Sequence, residues 1–281
     1  METSFESERT LKLLRDIRCR AFLWPLCCMI LMVWSMPDVR AEPASQGWSP
    51  PDKTPESVFK SAGKDLSNIG HAAGTPDFWR SALLIGGVSL VSAIADKPLD
   101  RFAVNHGNNG SMPGVERVGN ALPFVAIAYS ATMFLSSDTD SKPARTAYSA
   151  LAAGGVGAVS ALGLKYMVGR ARPSAGQGSA SFTPVSTNNG DTSWPSGHTT
   201  VMWAVITPYA KAYDAPWLYG VAAVTNVARV AGRNHWFSDT VAGSLLGYAI
   251  GNFMWESHQS NYHGAEWMIM PNRVVVNWRF D

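Results

Sequence analysis

Long apolar stretches alternate along the chain with short polar connections. Six of these stretches are rich in Ala, Gly, Val, Leu and Ser, and each is bounded by Gly, Pro, Asp or Asn. Their length and composition predict six buried α-helices, and their many small residues favour close helix packing. The six segments are 79–95, 118–136, 146–168, 199–213, 215–231 and 240–256.

The N-terminal region has the parts of a secretory signal peptide. A basic region, an uncharged apolar stretch from Ala21 to Met36 and small residues at Val39 and Ala41 follow one another,. We expect cleavage after Ala41. An uncleaved anchor is the alternative, although the stretch is short for a membrane span of about 20 residues. All three cysteines lie here, so the mature chain would have no disulfide and no thiol nucleophile,.

The patterns outside the apolar segments complete the predicted organisation. The segment 55–73 is typical of one amphipathic helix, and Trp267–Met270 and Arg273–Phe280 are typical of a small β-hairpin,. The predicted fold class is all-α, a six-helix core bundle with a short β-like tail. The predicted divisions are a signal peptide over 1–41, a linker and amphipathic helix over 42–78, a helical core over 79–256 and a C-terminal tail over 257–281.

Charged residues make up only 16% of the chain, and the net charge is +2. This composition excludes a disordered chain and a coiled coil, and it excludes a nucleic-acid partner bound by bulk electrostatics. The mean hydropathy of −0.02 leaves both a membrane bundle and a dense soluble bundle open.

The first candidate cluster lies at the end of the third apolar segment. Lys165 and Arg172 are seven residues apart, which would place them on one helical face, and Pro173 would end that helix,. Two cations on one face repel each other unless a multiply charged anion lies between them. The alternative is a positively charged flank at a membrane boundary.

The second candidate cluster precedes the fourth apolar segment. The turn formed by Ser196 and Gly197 leads into a helix, so its backbone N–H groups and hydroxyl would point outward and could bind an anion,. His198 follows directly and could give a proton to a leaving oxygen. The alternative is an ordinary helix cap.

The third candidate cluster connects the fifth and sixth segments. His235 and Asp239 are four residues apart, so the carboxylate could hydrogen-bond to one ring nitrogen and leave the other free to attack,. Arg229 ends the preceding helix. Arg233 lies beside this cluster and could contact substrate or be solvated. The alternative is an interhelical loop with a capping aspartate.

Together, these three clusters, Lys-x6-Arg-Pro, Pro-Ser-Gly-His and Arg-x5-His-x3-Asp, resemble the type 2 phosphatidic acid phosphatase superfamily. That superfamily also contains bacterial non-specific acid phosphatases and vanadium haloperoxidases. The resemblance covers about 80–256, and one departure is Ala228, where the family usually has Ser. It implies a helical bundle with the active site at one end.

The resemblance also implies the role of each residue. His235 would attack phosphorus and form a phosphohistidine, and Asp239 would orient it. His198 would protonate the leaving alcohol and then activate water. The phosphoryl oxygens would be bound by Lys165, Arg172, Arg229, Ser196 and Gly197. Three fixed cations need no metal, and we expect no cofactor.

The leading functional prediction is a phosphatase acting on phosphomonoesters or lipid phosphates, with membrane lipids as further partners. A vanadate-dependent haloperoxidase and a non-catalytic envelope protein are the alternatives.

All three clusters lie at helix ends on one side of the bundle, opposite the start of the first segment. With a cleaved signal peptide, six true spans would place them in the cytoplasm, so we expect an exported periplasmic or peripherally bound enzyme. Two long apolar runs keep an integral inner-membrane enzyme as the alternative. The other histidines, His71, His106, His258 and His263, are expected to be structural.

Overall fold

The computed structural model describes residues 49–106, 110, 112–258, 266–270 and 273–277. These residues form an all-α bundle followed by an antiparallel β-hairpin, as predicted. The predicted signal peptide and His263 lie outside the described residues. The elements are α1 (Pro55–Ala73), α2 (Pro76–Ser92), α3 (Asp96–His106), α4 (Met112–Ser136), α5 (Lys142–Val168), α6 (Gly197–Ala212), α7 (Leu218–Ala231), α8 (Phe237–Ser257), β1 (Glu266–Met270) and β2 (Arg273–Asn277).

Hydroxyl caps followed by proline set the start of several helices. The Thr75 side chain accepts a hydrogen bond from the backbone of α2, and Pro76 occupies the first turn. The Ser141 hydroxyl accepts one from Ala144 N at 3.3 Å and caps α5 in the same way. Because these capping residues precede the apolar stretches, both helices begin before the apolar segments that predicted them.

All six predicted core helices are present, but α3 was not predicted. A short 3₁₀ turn, Ala93–Ala95, connects it to α2. Its first six positions contain two aspartates and two basic residues, so its short apolar stripe of Leu99, Phe102 and Ala103 does not stand out as the six longer apolar segments do,. This helix matters for function because it carries Asp96 and Asp100 to the end of the bundle where the candidate residues lie.

Helices α6 and α8 pack backbone against backbone at the centre of the bundle. A Cβ on Gly243, Gly247 or Gly251 would lie 2.7, 2.3 or 2.7 Å from a carbonyl oxygen of α6 or its N-cap residue. Only glycine permits this approach. The backbone N–H of Ser196 also donates to the Asp239 carbonyl at 3.0 Å, so the contact joins two of the predicted functional clusters.

Among the residues that the structure describes, three helical segments are long and apolar enough to cross a membrane: Pro76–His106, Met112–Ser136 and Lys142–Val168. Each also exposes large apolar side chains on the surface of the bundle. Examples are Leu83, Leu90 and Ile94 from the first, Phe124, Val125 and Leu135 from the second, and Val159, Leu162 and Met167 from the third. Such continuous apolar exposure is uncommon on proteins that contact only water.

The close contact between α6 and α8 predicts a sharp difference between two glycines. Gly247→Ala places a methyl group against the Thr200 carbonyl, so the helices must separate and the melting temperature should fall, at a cost of about 1–3 kcal/mol,. Gly155 of α5 has no atom within 4 Å of its Cβ position, so Gly155→Ala is the matched control and should keep or slightly raise the melting temperature,. Equal melting temperatures of the two variants would contradict this packing.

Candidate active site

The eight residues predicted from the three clusters lie at one end of the bundle. They come from the end of α5, the loop that follows it, the start of α6, the end of α7 and the start of α8. They are Lys165, Arg172, Ser196, Gly197, His198, Arg229, His235 and Asp239.

A glycine turn, rather than a longer helix, brings Lys165 and Arg172 together. Helix α5 ends at Val168, and Gly169 adopts φ +61°, where a Cβ would clash with a neighbouring carbonyl,. The prediction that both cations share one helical face was therefore wrong, because Arg172 lies in the loop beyond this turn. Both side chains still meet at Thr192: Lys165 Nζ donates to its carbonyl, and Arg172 Nη2 donates to its Oγ1 at 2.9 Å.

The second cluster forms the start of α6, as predicted. Ser196 occupies the N-cap position but is fully buried, and its Oγ accepts a hydrogen bond from Thr199 at 2.9 Å. The expectation that this hydroxyl points outward is therefore not met. The N–H groups of the first turn, beginning with Gly197, have no helical acceptors and form an anion-binding terminus. The His198 ring lies next to them and packs edge-on against Phe124, 5.6 Å between centroids.

The orientation of His235 differs in one respect from the prediction. Its Nδ1 lies 2.7 Å from the Ser193 carbonyl and 3.8 Å from Asp239 Oδ2, beyond hydrogen-bond length. Because a carbonyl only accepts, Nδ1 carries the proton and Nε2 keeps its lone pair. Asp239 acts on the ring through Ser193, whose Oγ donates to Asp239 Oδ2 at 2.5 Å.

The Asp239 carboxylate is fully buried and fully bonded. In addition to Ser193, the Trp236 backbone donates to Oδ2 at 2.8 Å and Arg170 Nη1 donates to Oδ1 at 2.5 Å. Burial alone would raise the pKa of Asp239, but the neighbouring His235 and Arg170 lower it overall,. The carboxylate is therefore ionised over the physiological pH range.

Three cations act together on the two histidines. Burial lowers the pKa of His198 to about 4, and the charges of Arg229, Lys165 and Arg172 act in the same direction. Burial also lowers the pKa of His235 to about 3. Both imidazoles are thus neutral without a bound anion, and the cations surround the space that an anion would occupy.

Two of these cations have unused donors. Arg229 Nη1 donates to Asn120 Oδ1 of α4 at 2.8 Å, yet the Nε atoms of Arg172 and Arg229 are buried with no hydrogen-bond partner among the described residues. Buried donors without partners are costly, and a bound phosphate would supply acceptors. In the described part of the chain, no group of three or more His, Cys, Asp or Glu residues could hold a metal ion.

Two residues outside the eight have partners that the sequence did not reveal. Arg233 pairs with Asp100 of α3 at 2.8 Å, so it is not simply solvated. His258 is buried and lies 2.8 Å from Asp65 of α1 and 3.0 Å from Ser149 of α5. It therefore joins α1 to the bundle away from the eight-residue site, which is a structural role, as expected.

Comparison with known proteins finds similarity to one family of phosphatases. The sequence model of the PAP2 superfamily matches residues 144–263, which include all eight candidate residues. The chain is 33% identical over 93 residues to a lipid A 1-phosphatase of Porphyromonas gingivalis, covering 31% of this chain and 18% of that protein. It is 27% identical over 136 residues to a PA-phosphatase related-family protein of Dictyostelium discoideum, covering 42% and 50%.

Residues 144–263 therefore match the PAP2 superfamily, the family that the three clusters resemble. The match spans less than a fifth of one curated relative and half of the other. No solved structure matches the chain at a comparable level of significance. The helices α1 to α4 precede the matched region, so Asp96, Asn120 and Phe124 are contributions of this chain outside it.

The low pKa of His235 predicts a specific loss of stability in acid. Below pH 6.5, the ordinary pKa of histidine, His235 binds a proton in the unfolded chain but stays neutral in the folded chain. Its contribution to the free energy of unfolding is therefore fully present above pH 6.5 and is lost as the pH falls toward 3,. Between pH 7.5 and pH 5 this costs about 2 kcal/mol. Denaturant unfolding of the wild type and His235→Gln should show this extra loss in the wild type. Equal losses would contradict it.

Proposed function

We propose that this protein is a membrane-associated phosphatase that works through a phosphohistidine on His235. The observation that carries the proposal is the fixed Nδ1–H of this buried ring. Because that proton is donated to the Ser193 carbonyl at 2.7 Å, the free lone pair on Nε2 is available as the nucleophile,. The match of residues 144–263 to the PAP2 superfamily model supports the same reaction class.

In the first step, His235 Nε2 forms a bond to phosphorus and the bond from phosphorus to the ester oxygen breaks. His198 donates a proton to that oxygen, so the leaving group departs as a neutral alcohol. The negative charge of the bound phosphate offsets the three cations that lower the pKa of His198. Substrate binding thereby raises the pKa of this ring and lets it hold the proton.

In the second step, His198 accepts a proton from water as the water oxygen attacks phosphorus. The bond between phosphorus and Nε2 of His235 breaks, and phosphate leaves. The ionised Asp239 stabilises the positive charge that His235 carries while it is phosphorylated,. Both steps use the same two imidazoles, and no further group has to be brought into the site.

The remaining site residues bind the phosphoryl oxygens. Lys165, Arg172 and Arg229 neutralise charge, and the two buried Nε atoms gain the acceptors that they lack in the free protein,. The first turn of α6, beginning with Gly197, adds backbone N–H groups. The N–H of Ser196 is already donated to the Asp239 carbonyl, so Ser196 supports this turn from its N-cap position. Phosphoryl transfer depends largely on such positioning and charge neutralisation.

The two histidine roles can be separated by trapping the intermediate. With p-nitrophenyl phosphate, whose leaving group needs no proton, His198→Ala should still phosphorylate His235 but hydrolyse it slowly. The expected product is an acid-labile, alkali-stable phosphoprotein that accumulates in His198→Ala. It should be absent from the double variant His198→Ala/His235→Ala. A phosphoprotein that still forms in the double variant, or one that resists acid, would contradict the mechanism.

We also propose that the substrate is a lipid phosphate. Three segments suited to cross a membrane support membrane association, and the names of both curated relatives refer to phosphatases of lipids. Phe124 of α4 is 64% exposed on this apolar surface and also packs against His198. Since His198 serves the leaving oxygen, the body of the leaving group lies beside Phe124, which suits an apolar alcohol.

The lipid proposal predicts a preference that depends on Phe124. The kcat/KM for phosphatidic acid in mixed micelles should exceed that for glycerol 3-phosphate by about 100-fold. Phe124→Ser should reduce lipid kcat/KM about tenfold or more and leave the soluble ester unaffected. Val159→Ser, at an exposed position of α5, is the matched control. Equal kcat/KM for both esters would favour a soluble phosphomonoester instead.

A further inference from the structure

Arg170 uses all of its donors inside the protein. Its Nε and Nη2 donate to the Ser179 carbonyl at 3.0 and 2.7 Å, and Nη2 also donates to Asp96 Oδ2 at 2.7 Å. Its Nη1 donates to Ser238 Oγ at 2.8 Å and to Asp239 Oδ1 at 2.5 Å. A guanidinium has five N–H groups, so none remains for phosphate. Arg170 therefore differs in kind from Arg172 and Arg229.

The same residue touches both groups that orient the nucleophile. Its side chain bonds to Asp239, and its backbone carbonyl accepts a hydrogen bond from Ser193 N at 2.9 Å. Ser193 in turn supplies the carbonyl that fixes Nδ1 of His235. Arg170 is thus connected to the imidazole of His235 in two ways, through the Asp239 carboxylate and through the backbone of Ser193.

Asp96 of α3 holds Arg170 from the far side. Asp96 is 1% exposed, and it accepts hydrogen bonds from Ser238 N and Ser238 Oγ, each at 2.8 Å, as well as from Arg170. The guanidinium also lies 5.7 Å from the rings of Phe182 and Trp236. The two carboxylates and the two aromatic rings together fix the position of the buried guanidinium.

We propose that Arg170, held by Asp96, is a positioning residue that fixes the tautomer and orientation of His235 through Asp239 and Ser193. It touches no substrate. The kinetic part of this inference rests on the proposed phosphatase function, whereas the structural part does not. Helix α3, which precedes the region matched by the superfamily model, thereby contributes to the order of the active site.

Kinetics separate positioning from phosphate binding. Arg170→Gln should lower kcat about 10- to 100-fold with KM within about threefold of the wild type, because no phosphate contact is lost. Arg172→Gln should instead raise KM. Arg145→Gln, which breaks an arginine–aspartate pair at the opposite end of α5 from the site, is the control and should leave kcat unchanged. A KM effect in Arg170→Gln as large as that in Arg172→Gln would overturn the proposal.

The pH profile gives a readout that general loss of structure would not move. Arg170 is one of the groups that lower the pKa of Asp239, so Arg170→Gln should shift the acid limb of kcat to higher pH,. The other charged or titratable side chains near this carboxylate, namely His235, Lys165, Arg172 and Asp96, are kept in this variant, although Asp96 loses the same Arg170 partner. Arg170→Lys keeps the charge and should restore the acid limb in part.

Nitrogen NMR of the histidine side chains tests the same inference without turnover. The wild type should show His235 as the Nδ1–H tautomer alone, and Arg170→Gln should show a mixture with the Nε2–H form. If the wild type hydrolyses no phosphate ester, the proposed function fails, but the tautomer still decides the role of Arg170. A wild-type tautomer and wild-type kcat in folded Arg170→Gln, or in Asp96→Asn if the former does not fold, would overturn it.

Discussion

The central constraint on this molecule is the placement of positive charge inside an apolar bundle. Lys165, Arg172 and Arg229 hydrogen-bond to neutral oxygens of Thr192 and Asn120. Two nearby arginines, Arg170 and Arg233, instead form ion pairs with aspartates. The fold thus neutralises the cations that support the structure and leaves a positive field where three others converge. Such a field is unfavourable until an anion enters, and it is then strongly favourable.

Two backbone features make this convergence possible. The left-handed turn at Gly169 brings Arg172 back toward Lys165, although the two residues belong to different elements. The glycine stripe of α8 brings its first turn against the start of α6, which places Asp239 beside Ser196. Neither feature carries chemistry of its own. Both act by removing a side chain where two backbones must approach, so small residues determine the geometry of large charged ones.

The sequence was sufficient for the elements whose signals are local. Apolar segments predicted all six core helices, and the three clusters predicted the eight residues that meet at one end. The sequence was insufficient where the signal depends on tertiary contacts. Helix α3 has only a short apolar stripe among charged residues, and nothing near Arg170 in the chain shows that its partners come from α3 and α8.

The same distinction explains the errors in detail. A four-residue spacing correctly placed Asp239 near His235, but it could not show that the Ser193 carbonyl accepts the hydrogen bond from Nδ1, because Ser193 belongs to another segment.

The departure from the family pattern at Ala228 is related to the packing of two helices. Its Cβ would lie 2.4 Å from a Cβ on Gly119 of α4, so α4 and α7 are in close contact at this point. A larger residue than Ala at this position would push α4 away, and α4 carries Asn120, which holds Arg229.

This coupling between charge and packing has a consequence for proton transfer. In the site without a bound anion, burial and the three cations keep His198 neutral, so this ring has no proton to donate before a substrate binds. In the proposed mechanism, a phosphate ester brings both the negative charge that restores the basicity of His198 and the oxygen that needs its proton. A neutral ester of the same shape brings that oxygen but not the charge. The proposed discrimination for phosphorylated substrates would therefore follow from electrostatics before any contact with the rest of the substrate is made.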